Sequence, residues 1–106
     1  MKLVVSVIQD EDATPLMKAL TAHEYGATKL ASTGGFLLRG NTTLIVGVAD
    51  DQLESVLEII RTVCRRRRKL IPQPSTEIPS SVSLPIEVEI GGAIIFVVDV
   101  DRFVRI

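Results

Sequence analysis

The sequence holds no tryptophan, one histidine and one cysteine among 106 residues. A lone Cys64 excludes a disulfide within the chain and fits a reducing compartment. With His23 and Cys64 as the only residues of their kinds, one chain cannot assemble a His/Cys zinc site or a nucleophile–histidine triad. Net charge is nearly absent as well: 12 Lys and Arg against 13 Asp and Glu leave −1, so the molecule as a whole is not an electrostatic binder of nucleic acid. No stretch approaches the roughly 18 apolar residues that a membrane span needs. The start, Met1 to Val7, lacks a long apolar core with a cleavage site, and Asp10 follows almost at once. These absences lead us to expect a soluble, cytoplasmic protein with no membrane insertion.

Aliphatic residues are what the chain has in abundance. They dominate a hydrophobic share of 46%, while Tyr25, Phe36, Phe96 and Phe103 are the only aromatics. That composition suits a Val/Ile-rich sheet covered by helices and is too apolar for a disordered chain. The length predicts one domain over 1–106. A domain of this size buries only about two-thirds of its unfolded surface, so association between copies is a natural way to bury more.

Residues 2–9 read as a strand. The acidic cluster Asp10 to Asp12 and then Thr14-Pro15 mark a helix start, with Asp12 or Thr14 as the expected cap. Leu16, Ala19, Leu20 and His23 follow at helical spacing, which places His23 among packing residues, and Gly26 is the expected stop. Ala27 to Ala31 reads as a second strand and Thr42 to Val48 as a third, around a glycine-rich loop at about 32–42. Asp50 or Asp51 is the expected cap of a second helix, with Glu54 in a capping-box position. Its stripe is Leu53, Val56, Leu57, Ile60, Val63 and Cys64. From about 66 to 85, prolines and serines predict a long loop. Pro85 to Ile90 alternates strictly, Gly91-Gly92 turns, and Ala93 to Val98 is apolar, which predicts a C-terminal β-hairpin.

Leu3-Val4-Val5-Ser6-Val7 and Leu44-Ile45-Val46-Gly47-Val48 match in register, and each leads through acidic residues into an amphipathic helix. Two such units predict an α+β chain with ferredoxin-like βαββαβ order. Its helices cover one face of the sheet. The strands carry too few polar positions for the other face to be wet, which predicts a partner copy there.

Four blocks then carry a resemblance: Val7-Ile8-Gln9-Asp10, Thr28 to Leu37, Gly40-Asn41-Thr42-Thr43 and Val88 to Ala93. In order and spacing they resemble the PII-like cyclic-di-AMP receptor proteins, part of the nitrogen-regulatory PII-like superfamily. The resemblance implies a homotrimer with cyclic-di-AMP in the clefts between subunits and loops that rearrange to signal an unknown protein partner. It implies Thr28, Gly35, Phe36, Leu37, Asn41 and Gly47 as ligand-binding residues, with Gly91 and Gly92 nearby. The chain departs from the pattern at Gly26, where family members that bind the dinucleotide usually carry arginine.

The residue types suit that ligand. Gly34 and Gly35 can present backbone N–H groups to phosphate or a base edge. Phe36 can stack on a purine, Asn41 offers the donor and acceptor that complement adenine, and Thr28 offers a hydroxyl. The plain alternative is two turns around a core phenylalanine. Arg39, Arg65 and Arg66 are candidate phosphate contacts. The run Arg65 to Lys69 equally suits cations at the end of a helix, complementing its dipole; nucleic-acid binding by few aromatics on a near-neutral chain is disfavoured. Asp10 and Asp12 read as caps, and Glu87 and Glu89 as the wet side of a strand. No nucleophile and base come together and no metal or other cofactor is implied, so a non-enzymatic binder is expected. The alternative is a PII-style adaptor that takes another adenine nucleotide or only a protein partner.

Overall fold

The computed structural model describes residues 1–31, 40–72 and 85–106. Strand β1 (Lys2–Gln9) runs into helix α1 (Asp10–Ala22), followed by β2 (Ala27–Ala31) and β3 (Asn41–Val48). A short 3₁₀ turn (Asp50–Gln52) leads into α2 (Leu53–Val63), then β4 (Arg67–Pro72), β5 (Pro85–Ile90) and β6 (Ala93–Asp99). Four strands form one sheet in the order β2-β3-β1-β6, and β4 pairs with β5 in a separate ribbon. Every pairing is antiparallel. This is the ferredoxin-like arrangement expected from the doubled unit. The two matching segments lie side by side at its centre, with Val4 opposite Val46 and Ser6 opposite Leu44.

Alternation divides the sheet into two faces. On one, Val4 and Ile8 of β1 and Leu44, Val46 and Val48 of β3 pack with Ala13, Leu16 and Leu20 of α1, Val56 and Ile60 of α2, and Cys64 just after it. Each buried Val, Leu or Ile here contributes about 1.5–3 kcal/mol, and this layer is the core. Among the described residues the opposite face carries no helix. There Leu30, Phe96 and Val98 stand 44%, 47% and 48% exposed, beside half-buried Leu3, Val5, Ile45 and Ile94. A contiguous apolar area of this kind marks an interaction surface.

Several local expectations are corrected. Asp12 caps nothing: it is 1% exposed and holds Arg67, with Nη2 2.6 Å from its Oδ1. Asp10 instead accepts the Thr42 hydroxyl at 2.6 Å, and Thr14 lies within α1. That helix stops before Gly26, because Glu24 takes the left-handed conformation (φ 62°) and the Tyr25 N–H closes on the Leu20 carbonyl. His23 is exposed rather than packed, with Nδ1 2.9 Å from the Ala19 carbonyl oxygen. Asp50 pairs with the N-terminal amine at 2.9 Å, which holds its carboxyl below the usual range. Neither Asp50 nor Asp51 caps α2 through its side chain; Gln52 stands at that position.

The C-terminal hairpin does not form. Gly91 and Gly92, both at positive φ (95° and 91°), hand the chain from the ribbon to the main sheet, where β6 pairs with β1. Two physical preferences separate β5 from β6. The apolar β6 covers the edge of β1, whereas the acidic β5 meets a basic neighbour. Arg68 lies 3.6 Å from Glu87 and Arg66 4.0 Å from Glu89, and opposite charges across a strand pair are favourable. The basic run is therefore not the last turn of α2, and both ends of the expected long loop are strand. Glu87 and Glu89 do lie on the wet side.

Burial is also what dominates Cys64. The thiol is 2% exposed; desolvation first, then the Asp12 carboxylate, pushes it up to about 12, against a smaller opposing pull from Arg67. A raised folded-state value favours the protonated form, so this contribution is complete below the unfolded thiol's ordinary range near about 8.5. It drains as pH climbs toward 12. Between about pH 9 and 11 stability should fall by up to about 1.4 kcal/mol per pH unit through this group. Urea unfolding at pH 8 and 10 checks this, because Cys64→Ala removes that part of the slope.

Candidate functional site

Of the expected ligand residues that fall among the described ones, Thr28, Asn41 and Gly47 share a face. Thr28 lies across from Ile45 in the β2–β3 pair. Asn41, Thr43, Ile45 and Gly47 alternate along β3, and Asn41 is paired with Gln9 and Gly47 with Leu3. The register puts Thr28, Asn41 and Gly47 on the open face, away from the helices. Gly35, Phe36, Leu37 and Arg39 lie outside the described residues, as does the Gly34-Gly35 turn.

Gly47 gives the clearest signal of something approaching from outside. Glycine inside a strand costs about 0.5–1 kcal/mol relative to alanine. Nothing among the described residues requires it here: an added Cβ would meet only the Met1 Cε among them, at 3.9 Å. A strand glycine with open space above it suits a ligand or another backbone resting on the sheet. Thr28 is exposed beside it, and Asn41 is 3% exposed at the start of the same strand.

A second group of expected residues gathers at the base of the β4–β5 ribbon. Arg65 and Arg66, with Arg61 and Gly92, rim a groove of about 430 Å³ whose apolar floor includes Ile60 and Ile95. This groove runs between α2 and the outer edge of β6, on the helix side of the sheet. Thr28, Asn41 and Gly47 are on the other side. A single chain therefore does not bring Arg65 and Arg66 to the open face. Gly91 serves the chain itself, because a Cβ there would lie 2.1 Å from the Arg65 carbonyl oxygen.

Two residues join these groups, and neither was assigned a binding or linking role from sequence. Gln9 is 5% exposed and its Oε1 accepts the Gly91 N–H at 2.6 Å. The Asp10 N–H donates to the Gly40 carbonyl at 3.0 Å, and its carboxylate takes the Thr42 hydroxyl. A polar residue closing an apolar strand was the available signal for Gln9; its partner needed the fold. Among the described residues no three His, Cys, Asp or Glu gather as a metal set, and no helix is long and apolar enough to cross a membrane.

The sequence profile of the family described as cyclic-di-AMP receptor matches residues 1–106. Among solved structures, a protein of Pediococcus pentosaceus ATCC 25745 described as functionally unknown is 37% identical. The match covers 99% of this chain and 96% of that one, with a TM-score of 0.80.

Proposed function

The chain belongs to the cyclic-di-AMP receptor family, and from that premise we propose that it binds cyclic-di-AMP in clefts between the copies of a homotrimer, in the cytoplasm. The observation that carries the placement is the alignment of Thr28, Asn41 and Gly47 on one uncovered face. Thr28 gives a hydroxyl, Asn41 a donor–acceptor pair for a purine edge, and Gly47 the space for a close approach. The resemblance assigns Gly35, Phe36 and Leu37 to the same ligand, with the Phe36 ring as the group that can stack on a base. A cleft between copies also resolves the division within one chain. The open-face residues of one copy meet Arg65, Arg66, Gly91 and Gly92 of the next, where the guanidinium groups, joined by Arg39, neutralise phosphate. Covering the apolar face formed by Phe96, Val98 and Leu30 supplies the driving force for association. The β4–β5 ribbon then relays occupancy to a protein partner.

Calorimetry with cyclic-di-AMP, cyclic-di-GMP, ATP and AMP tests this. We expect cyclic-di-AMP to bind at one site per chain and more tightly than the others. Absence of binding by any purine nucleotide at high micromolar concentration would sink the proposal. Sedimentation should give three times the 11.6 kDa of one chain.

Gly26 motivates a second reading, a PII-style adaptor that takes another adenine nucleotide or a protein alone. Among the described residues a Cβ at this position meets nothing within 4 Å, so Gly26→Arg should be tolerated by the fold. A gain of more than about tenfold in affinity for cyclic-di-AMP, or about 1.4 kcal/mol, favours this second reading; an unchanged constant favours the first.

A further inference from the structure

Four consecutive residues at the β1–α1 junction reach in two directions. Asp10 fastens the start of β3 through its N–H to the Gly40 carbonyl and its carboxylate to the Thr42 hydroxyl. Gln9, Glu11 and Asp12 fasten the ribbon instead. The Gln9 side chain accepts the Gly91 N–H, Glu11 lies 3.8 Å from the Lys69 ammonium, and Asp12 accepts from Arg67. Gln9 is also the cross-strand partner of Asn41. The first turn of a helix is stiff, so a shift imposed on it at residue 10 reaches residues 9, 11 and 12.

We propose that Gln9 and Asp10 are positioning residues that couple the Asn41 end of β3 to the base of the β4–β5 ribbon. The coupling is a property of the fold; only its use as a ligand relay rests on the binding reading above. Gln9 is the tie that reaches the ribbon's base, because its buried side chain accepts the backbone N–H of Gly91, which directly follows β5. A second tie, from the Gly92 N–H to the Cys64 carbonyl at 2.6 Å, does not involve the junction. It keeps the ribbon attached when Gln9 is changed.

Hydrogen exchange over residues 67–72 and 85–90 reads the coupling directly. Thr42→Val removes the hydroxyl from Asp10 without touching the ribbon. It should speed exchange there by about threefold or more in the otherwise unchanged protein, and by a clearly smaller factor in a Gln9→Met background, where only the Glu11–Lys69 and Asp12–Arg67 ties still carry the shift. Gln9→Glu, which keeps the acceptor, should restore the response. An unchanged ribbon in Thr42→Val, or equal acceleration in both backgrounds, overturns the coupling. If Gln9→Met fails to fold, Thr42→Ser against Thr42→Val decides: the serine should leave exchange unaltered, and equal acceleration by both overturns the proposal.

Cyclic-di-AMP then separates the two readings. The ligand should change ribbon exchange more in the unchanged protein than in Gln9→Met, with affinity held within about threefold. Binding without any ribbon response overturns the relay and leaves the binding site standing. No binding overturns the binding reading and with it the relay, while the Thr42 comparison still decides the coupling.

Discussion

Arg67→Met should lower the unfolding free energy by about 3 kcal/mol, more than any other single charge change in the ribbon. The loss comes from what stays behind. Asp12 is 2% exposed at its side chain and Arg67 31%, so removing the guanidinium strands a carboxylate that water does not reach. Breaking a buried pair from one side typically costs about 3–5 kcal/mol, and the partial exposure of Arg67 places this case at the low end. The same hydrogen bond to Asp12, ahead of the smaller pull of Glu11, raises the already high pKa of Arg67. The neighbouring pairs are different. Arg68–Glu87 and Arg66–Glu89 have side chains 54–76% exposed, and exposed pairs contribute about 0–1 kcal/mol each. Urea unfolding should show the midpoint of Arg67→Met falling with its slope unchanged. Replacing both members, Asp12→Leu with Arg67→Met, should recover most of the loss, because no buried charge is then left alone. A double variant as weak as the single one would contradict this account.

Gly47→Val should leave folding intact and cut affinity for cyclic-di-AMP by about 100-fold, equivalent to about 2.7 kcal/mol. The two effects separate because, among the described residues, an added Cβ at Gly47 meets only the flexible Met1 side chain, at 3.9 Å. Valine suits a strand better than glycine by a few tenths to about 1 kcal/mol, so the unfolding midpoint of the isolated subunit holds or rises. The added isopropyl group occupies the open face where the ligand, or the copy carrying the rest of its cleft, must approach. Calorimetry and sedimentation read the two consequences together. Binding that survives Gly47→Val unchanged would remove this strand from the site.

Periodicity and repetition made much of the fold legible. The doubled strand-to-helix segments were enough to order the four-stranded sheet, because each apolar strand needs the stripe of a following helix to cover it. Where the reading erred, a distant partner decided. Asp12 reads as a cap only while Arg67, fifty-five residues on, is out of view. The ribbon was hidden for a similar reason: Arg66 and Arg68 look like the charged end of α2 until the glutamates of β5 lie opposite. Gly91-Gly92 carries the local chemistry of a tight hairpin, yet the edge of β1 claims β6. In the candidate site, Thr28, Asn41 and Gly47 were found through resemblance, and their shared face follows from simple alternation along β3. The role of Gln9 was not legible. It depends on a hydrogen bond to Gly91, eighty-two residues away, which no local pattern encodes.

The central claim is that the dinucleotide lies against the open face of β2 and β3. An amide chemical-shift titration with cyclic-di-AMP tests it most directly. The account predicts saturable shifts at Thr28, Asn41 and Gly47, with smaller changes following at Gln9 and Gly91. Shifts confined to Leu57, Ile60 and Ile95, in the groove on the helix side of the sheet, would contradict it.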